Sequence, residues 1–253
     1  MENNKTGKYL KYAIGEIALV VIGILIALQI NNWNQKQVNQ QNEILYLNNL
    51  KQDLSNQIIE IDKQINYETR LLLDSEIIIK RFEKDNVIII DTALIGTVNR
   101  IVDRRTFNTI NPTYVELINT GNMTLISDNN FKNQLISYHQ EIERITEVIK
   151  LNNSSFIDTE SGPEMRKMIP QLPFYAGSKP MDSLNYSNSL SKANIELLTQ
   201  ISSQKFKDKS VLLHFMNLVI TRYDFAWYHI QIMNTQKTHT QELIKTLEKS
   251  VLE

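Results

Sequence analysis

The chain has 253 residues, 42% hydrophobic and 22% charged, with a formal net charge of −1 and no cysteine. Such a length holds one or two domains with a packed core, and the missing cysteines exclude disulfides, thiolate metal sites and a cysteine nucleophile. The near-zero charge argues against a nucleic-acid binder, which would show a basic excess.

Residues 13–30 are apolar apart from Glu16 and Gln29, and no charge occurs from Ile17 through Gln35. As a helix, residues 12–33 would cover about 33 Å, against about 30 Å for the hydrocarbon core of a bilayer. Tyr9 and Tyr12 stand at one end and Trp33 at the other, where amphipathic rings favour the headgroup region. A cleaved signal peptide needs a small-x-small site after its apolar run, whereas this run ends Leu28-Gln29-Ile30-Asn31. The pattern predicts an uncleaved single-pass anchor over residues 13–33. Lys5, Lys8 and Lys11 precede it and only Lys36 follows closely. The positive-inside rule then leaves residues 1–12 as a cytoplasmic tail and sends 34–253 to the other side. Residues 37–253 carry 23 basic and 26 acidic side chains, an ordinary balance for a solvated extracytoplasmic domain.

Beyond the anchor, neither glycine nor proline occurs from Ile24 to Ile95, nor from Met181 to the end, so long helices are expected there. Leu47, Leu50, Leu54, Ile58, Ile61, Ile65, Glu68, Leu72, Ser75, Ile79 and Phe82 recur in steps of three and four. So do Phe131, Leu135, Tyr138, Ile142, Ile145 and Ile149. Leu212, Met216, Val219, Tyr223, Ala226, Ile230, Met233, Lys237, Thr240, Ile244, Leu247 and Val251 form a third set. A period near 3.5 lays each set along one seam of a helix, as in coiled-coil-like bundles. Between them, residues 87–90 suit a strand, and Asp91 suits the N-cap of a helix reaching about Val102. Asn111-Pro112 opens another helix that Gly121 can stop in the left-handed conformation. Ser127 or Asp128 caps a helix to about Asn152, and a short one fits residues 191–202.

Four of the five prolines fall between Pro163 and Pro180, which predicts a Pro/Gly-rich loop at about 157–185. The two longest seams would span about 52 and 58 Å, which favours an antiparallel pair. The expected fold is all-α: a single N-terminal transmembrane helix followed by an elongated antiparallel helical bundle whose C-terminus returns toward the membrane. The polar zone 31–42 leaves open whether anchor and first long helix are continuous. No internal repeat of 20–50 residues is evident.

Two stretches carry a family resemblance. Residues 8–34 contain YAIGEI followed by LVVIGILIALQINNWN, and residues 111–126 read NPTYVELINTGNMTLI. The first closely resembles the opening of an uncharacterised bacterial family of single-pass membrane proteins, and the second is similar to a signature of the same family. The resemblance implies a membrane anchor and a Gram-negative inner-membrane address with a periplasmic domain. It supplies no catalytic residues.

Few residues suggest chemistry. Glu16, Gly23 and Ala27 fall within about 20° of one direction on a helix, and Gly23 and Ala27 form a small-xxx-small pair that lets another helix approach. This is the candidate membrane-helix interaction face, against the plainer reading that Glu16 reaches the headgroups. In the aromatic cluster 223–229, Asp224, Tyr228 and His229 are candidate pocket residues, although rings at those positions also serve as core. His139, His214, His229 and His239 read as solvated or rim side chains, and Arg100, Arg104 and Arg105 as a solvated helix end. No metal spacing, nucleophile elbow, phosphate loop or cofactor motif is present, so no catalytic, metal or cofactor residue is assigned. The leading expectation is a non-enzymatic, membrane-anchored helical module that binds a protein partner or ligand, sensor-like or as an accessory subunit, with the bilayer and a partner or its own copy at the membrane helix. The alternative is a membrane-tethered hydrolase or lipid-modifying enzyme with its site beneath the 163–180 loop; a third is a purely structural tether.

Overall fold

The computed structural model describes residues 3–171 and 190–252, with side chains over 14–171 and 190–249. Among the described residues there is no strand. Helix α1 runs without a break over Asn3–Asp85, 83 residues or about 125 Å. The segment expected to be an anchor and the first long helix are therefore one element. It is the one helix among those described that is long and apolar enough to cross a membrane, and its most apolar window is wholly unburied.

Burial begins on α1 at Leu47 and continues through Ile78. Helix α7, Lys209–Leu252, lies antiparallel against it. Lys51 pairs with Glu248 and Asp62 with Lys237, each at 2.7 Å, an advance of eleven residues on both helices. Eleven residues are three turns, so the two helices stay in phase along this length. Helix α4, Asn129–Asn152, packs against α7, and its row Phe131, Leu135, Tyr138, Ile142, Ile145 and Ile149, the row its periodicity predicts, joins the core that α1 and α7 share.

Local signals place the shorter elements. Asp91 accepts from the Leu94 amide at 2.6 Å and starts α2, Thr92–Ile101. Residues 88–90 lead into it as extended chain without strand pairing, burying Ile88 and Ile90. Pro112 opens α3, Pro112–Thr120, and Gly121 ends it at φ 72°, the left-handed conformation that only glycine adopts freely. A short 3₁₀ turn, Asn122–Leu125, follows, and Asp128 caps α4 by accepting from the Asn130 and Phe131 amides. Helix α6, Lys192–Lys205, is capped by Ser191.

The loop expected at about 157–185 is helical in its first part. Helix α4 passes into a π-helical stretch, Asn153–Ser161, and then into α5, Gly162–Met168. Phe156, Ile157, Met165 and Met168 are buried, and Pro163 sits in the first turn of α5. The rest of that loop, from 172 to 185, lies outside the described residues.

The seams of α1 and α7 differ from the expected ones by one residue at every second position. On α1 the buried row is Leu47, Leu50, Leu54, Gln57, Ile61, Gln64, Glu68, Leu71, Ser75 and Ile78. Ile58, Ile65, Leu72 and Ile79 are half-buried instead. On α7 the row is Phe215, Val219, Arg222, Ala226, His229, Met233, Gln236, Thr240, Leu243 and Leu247; Met216 is buried beside it as expected, whereas Tyr223, Ile230, Lys237 and Ile244 are half-buried. Both rows keep a strict 3–4 alternation, and both bury polar side chains at mid-length.

Candidate functional site

Those polar positions meet in one layer. Glu68 on α1 and Arg222 and His229 on α7 are each 0–1% exposed. Glu68 Oε1 lies 3.1 Å from His229 Nδ1, and its Oε2 lies 3.5 Å from Arg222 Nη2. Gln64 Nε2, one turn earlier, donates to Glu68 Oε1 at 2.9 Å. Arg222 Nε donates to the Ile101 carbonyl at the end of α2 at 3.0 Å. Asn152, the last residue of α4, brings its amide nitrogen to 3.0 Å from His229 Nε2. With that amide donating, the ring proton sits on Nδ1 and is donated to Glu68.

Four elements thus meet in one layer around the Glu68 carboxylate: α1 and α7 directly, α2 through its last carbonyl on Arg222, and α4 through Asn152 on His229. The neighbouring residue Asn153 opens the π-helical stretch and donates to the Arg105 carbonyl. On the outer side, Tyr67 has a buried hydroxyl without a hydrogen-bond partner, and burial, with Asp103 adding to it, raises its pKa above the ordinary tyrosine value. Tyr67, Arg70, Asp74, Arg100 and Asp103 line a surface cleft of about 330 Å³ beside it.

The arginines expected at a solvated helix end hold elements together instead. Arg100 grips Asp74 with two bonds of 2.8 and 2.6 Å, and the bonded carboxylate raises the guanidinium's pKa further. Arg104 reaches Asp158 at 2.9 Å and Arg105 reaches Glu60 at 2.8 Å. The Glu60 carboxyl is held below its ordinary range, first by Lys63 and then by Arg105.

Asp224, Tyr228 and His229 do not form a pocket together. Asp224 and Tyr228 are exposed while His229 is in the core: 100° per residue turns them onto different sides of α7. In the same cluster Ala226 is buried, Phe225 meets Phe156 edge-on at 5.2 Å, and Trp227 is exposed rather than serving as core. Two histidines read as rim residues are buried, His139 and His229. His139 stacks on Tyr114 at 3.7 Å, and desolvation lowers its pKa to about 4. Glu16, Gly23 and Ala27 are all exposed on the apolar length of α1, with nothing within 4 Å of a Cβ built at Gly23.

Chemically, the central layer is an orienting network closed to solvent. His229 is engaged on both nitrogens, by a carboxylate and an amide, and none of its hydrogen-bond partners is a hydroxyl or thiol nucleophile. Among the described residues no group of three or more His, Asp or Glu could hold a metal ion.

Residues 16–125 match the model of a family of unknown function (DUF6090). The match runs from the apolar part of α1 to the 3₁₀ turn after α3. It takes in most of the 8–34 block and of 111–126, in agreement with the resemblance to an uncharacterised family. It includes Glu68 but neither Arg222 nor His229. No curated protein and no solved structure matches the chain.

Proposed function

We propose that this chain is a non-enzymatic, single-pass membrane module with a cytoplasmic N-terminus and a periplasmic bundle. In this reading it binds a protein partner or ligand and communicates that state along α1. The observation that carries the reading is the continuity of α1: one helix joins the exposed apolar segment to the buried Glu68 layer. In this reading the signal passes to a partner in or at the membrane. The face of Glu16, Gly23 and Ala27 is the contact, because a close-packed helix pair needs small residues at the crossing.

The test is affinity capture of the full-length protein from native membranes in mild detergent, beside the Gly23→Leu and Glu16→Gln variants. Gly23 touches nothing in the bundle, so its substitution leaves the fold intact. Loss of a stoichiometric partner, or a smaller complex on a native gel, supports the reading; unchanged complexes in both variants remove the contact face. Orientation is tested separately. A single cysteine at Asn4 should resist a membrane-impermeant maleimide in intact inner-membrane spheroplasts, and one at Gln40, which is exposed, should label.

A further inference from the structure

Residues 34–46 of α1 join the apolar segment to the bundle over about 20 Å, and all are exposed except three that turn partly toward neighbours. Ten of the fourteen residues from Gln29 to Asn42 are Asn or Gln. Five of these are asparagine, which has low helix propensity, and an isolated helix gains little from propensity without tertiary packing. A helix so composed needs a companion along this length.

One face supplies it. At 100° per residue, Gly23, Asn31, Asn34, Val38, Gln41 and Leu45 all point within about 40° of the direction of Ala27, so a straight helix aligns them in one stripe. Val38 is 42% exposed and Leu45 57% exposed. Leu47 and Leu50, which begin the bundle core, turn some 140–200° away from Leu45. The stripe therefore lies on the side of α1 opposite the bundle, where a second helix meets no obstruction from it. Lys36, Gln40 and Glu43 fall off the stripe.

We infer that this stripe is the contact for a second copy of the same chain, forming a parallel α1·α1 pair that runs from the outer half of the membrane segment to the foot of the bundle. The parallel arrangement rests on the membrane-anchored reading above, since two copies held in one bilayer share an orientation. In such a pair each residue meets its own copy, so the contact must be compatible with itself. This one is. No charge occurs on it from Gly23 to Leu45; Gly23 and Ala27 permit close approach; and Val38 and Leu45 supply apolar contacts. Asn31, Asn34 and Gln41 each carry a donor and an acceptor that an identical amide can satisfy. Polar amides at such seam positions also fix register and partner number, at some cost in stability. A face made for a charged partner would carry the complementary charge.

The chain's lack of cysteine makes the test direct. Single cysteines are introduced into the full-length protein at positions 31, 34, 36, 38, 40, 41 and 45, and native membranes are oxidised with copper phenanthroline. All these side chains are exposed, so none of the substitutions disturbs the core. Disulfides need Cβ atoms about 3.5–4.5 Å apart. The expected result is a dimer band at 31, 34, 38, 41 and 45 at least about threefold stronger than at 36 and 40. Equal yields at all positions, no dimer at any, or a maximum at 36 and 40 would overturn the pairing. Adducts of a different mass at the stripe positions would also overturn it, while leaving partner binding through the membrane helix standing.

Discussion

Among single residues, Glu68 has the most consequence. Its carboxylate is out of water with Arg222 and His229 against it, and removing one member of such a group strands the others. Glu68→Ala should cost about 3–5 kcal/mol, because Arg222 would stay buried without a counter-charge. Replacing the whole cluster by apolar residues of similar volume, Glu68→Leu with Arg222→Met and His229→Phe, should recover most of that loss. Urea unfolding of the parent, Glu68→Ala and the triple variant in detergent measures both; a Glu68→Ala variant as stable as the parent would show that the layer contributes no stability. His139 gives a pH dependence of known sign. Folded, its ring stays neutral down to about pH 4, whereas unfolded it protonates near pH 6.5. Between those values the unfolded chain binds the extra proton, so stability is full above about pH 6.5 and declines as pH falls toward 4. The total is about 3 kcal/mol, level below that. His139→Phe should flatten this part of the profile, and an unaltered profile would dismiss His139 as its source.

At the scale of elements, the junction between the π-helical stretch and α5 depends on one glycine. A Cβ at Gly162 would stand 2.7 Å from the Ile157 carbonyl oxygen, a backbone atom that cannot step aside. Gly162→Ala should destabilise the bundle by about 1–3 kcal/mol, read as a lower unfolding midpoint; an unchanged midpoint would mean the π-helical geometry relaxes at no cost. Nothing in the sequence announces this stretch, since its residues carry no periodicity that separates five-residue from four-residue hydrogen bonding. Capping, by contrast, was legible: Asp91, Gly121 and Asp128, the last as one of two adjacent candidates, act through their own side chains or backbone conformation, which local sequence controls. The seams were half legible. Reading for apolar residues selects Ile58 over Gln57 and Ile230 over His229, because each buried polar residue has an apolar neighbour that packs on a second side. A strict seven-residue count through Leu47, Leu54, Ile61, Glu68 and Ser75, paired with Leu50, Gln57, Gln64, Leu71 and Ile78, finds the true row. The polar layer was present in that count, but only the partner helix shows that Glu68 meets Arg222 and His229.

For the whole molecule, the division of labour along α1 leads to a further experiment. Described side chains before Glu43 are almost all exposed, and the core starts at Leu47. The bundle therefore owes little stability to the apolar segment. A soluble chain of residues 34–253 should fold with the helical content of the parent and melt within a few degrees of it; a collapsed or molten fragment would show that the membrane segment holds the bundle together. The same fragment separates intrinsic affinity from confinement. Copies tethered in one bilayer meet at high effective concentration and in a fixed orientation. The neutral stripe, lined mainly by amides, keeps only Val38 and Leu45 as apolar contacts once Gly23 and Ala27 are removed. In solution the fragment should thus sediment as a monomer at micromolar concentration, even where the full chain cross-links in membranes. If the fragment is a dimer under those conditions, the pairing energy lies in the bundle or stalk, and the membrane helix contributes orientation alone.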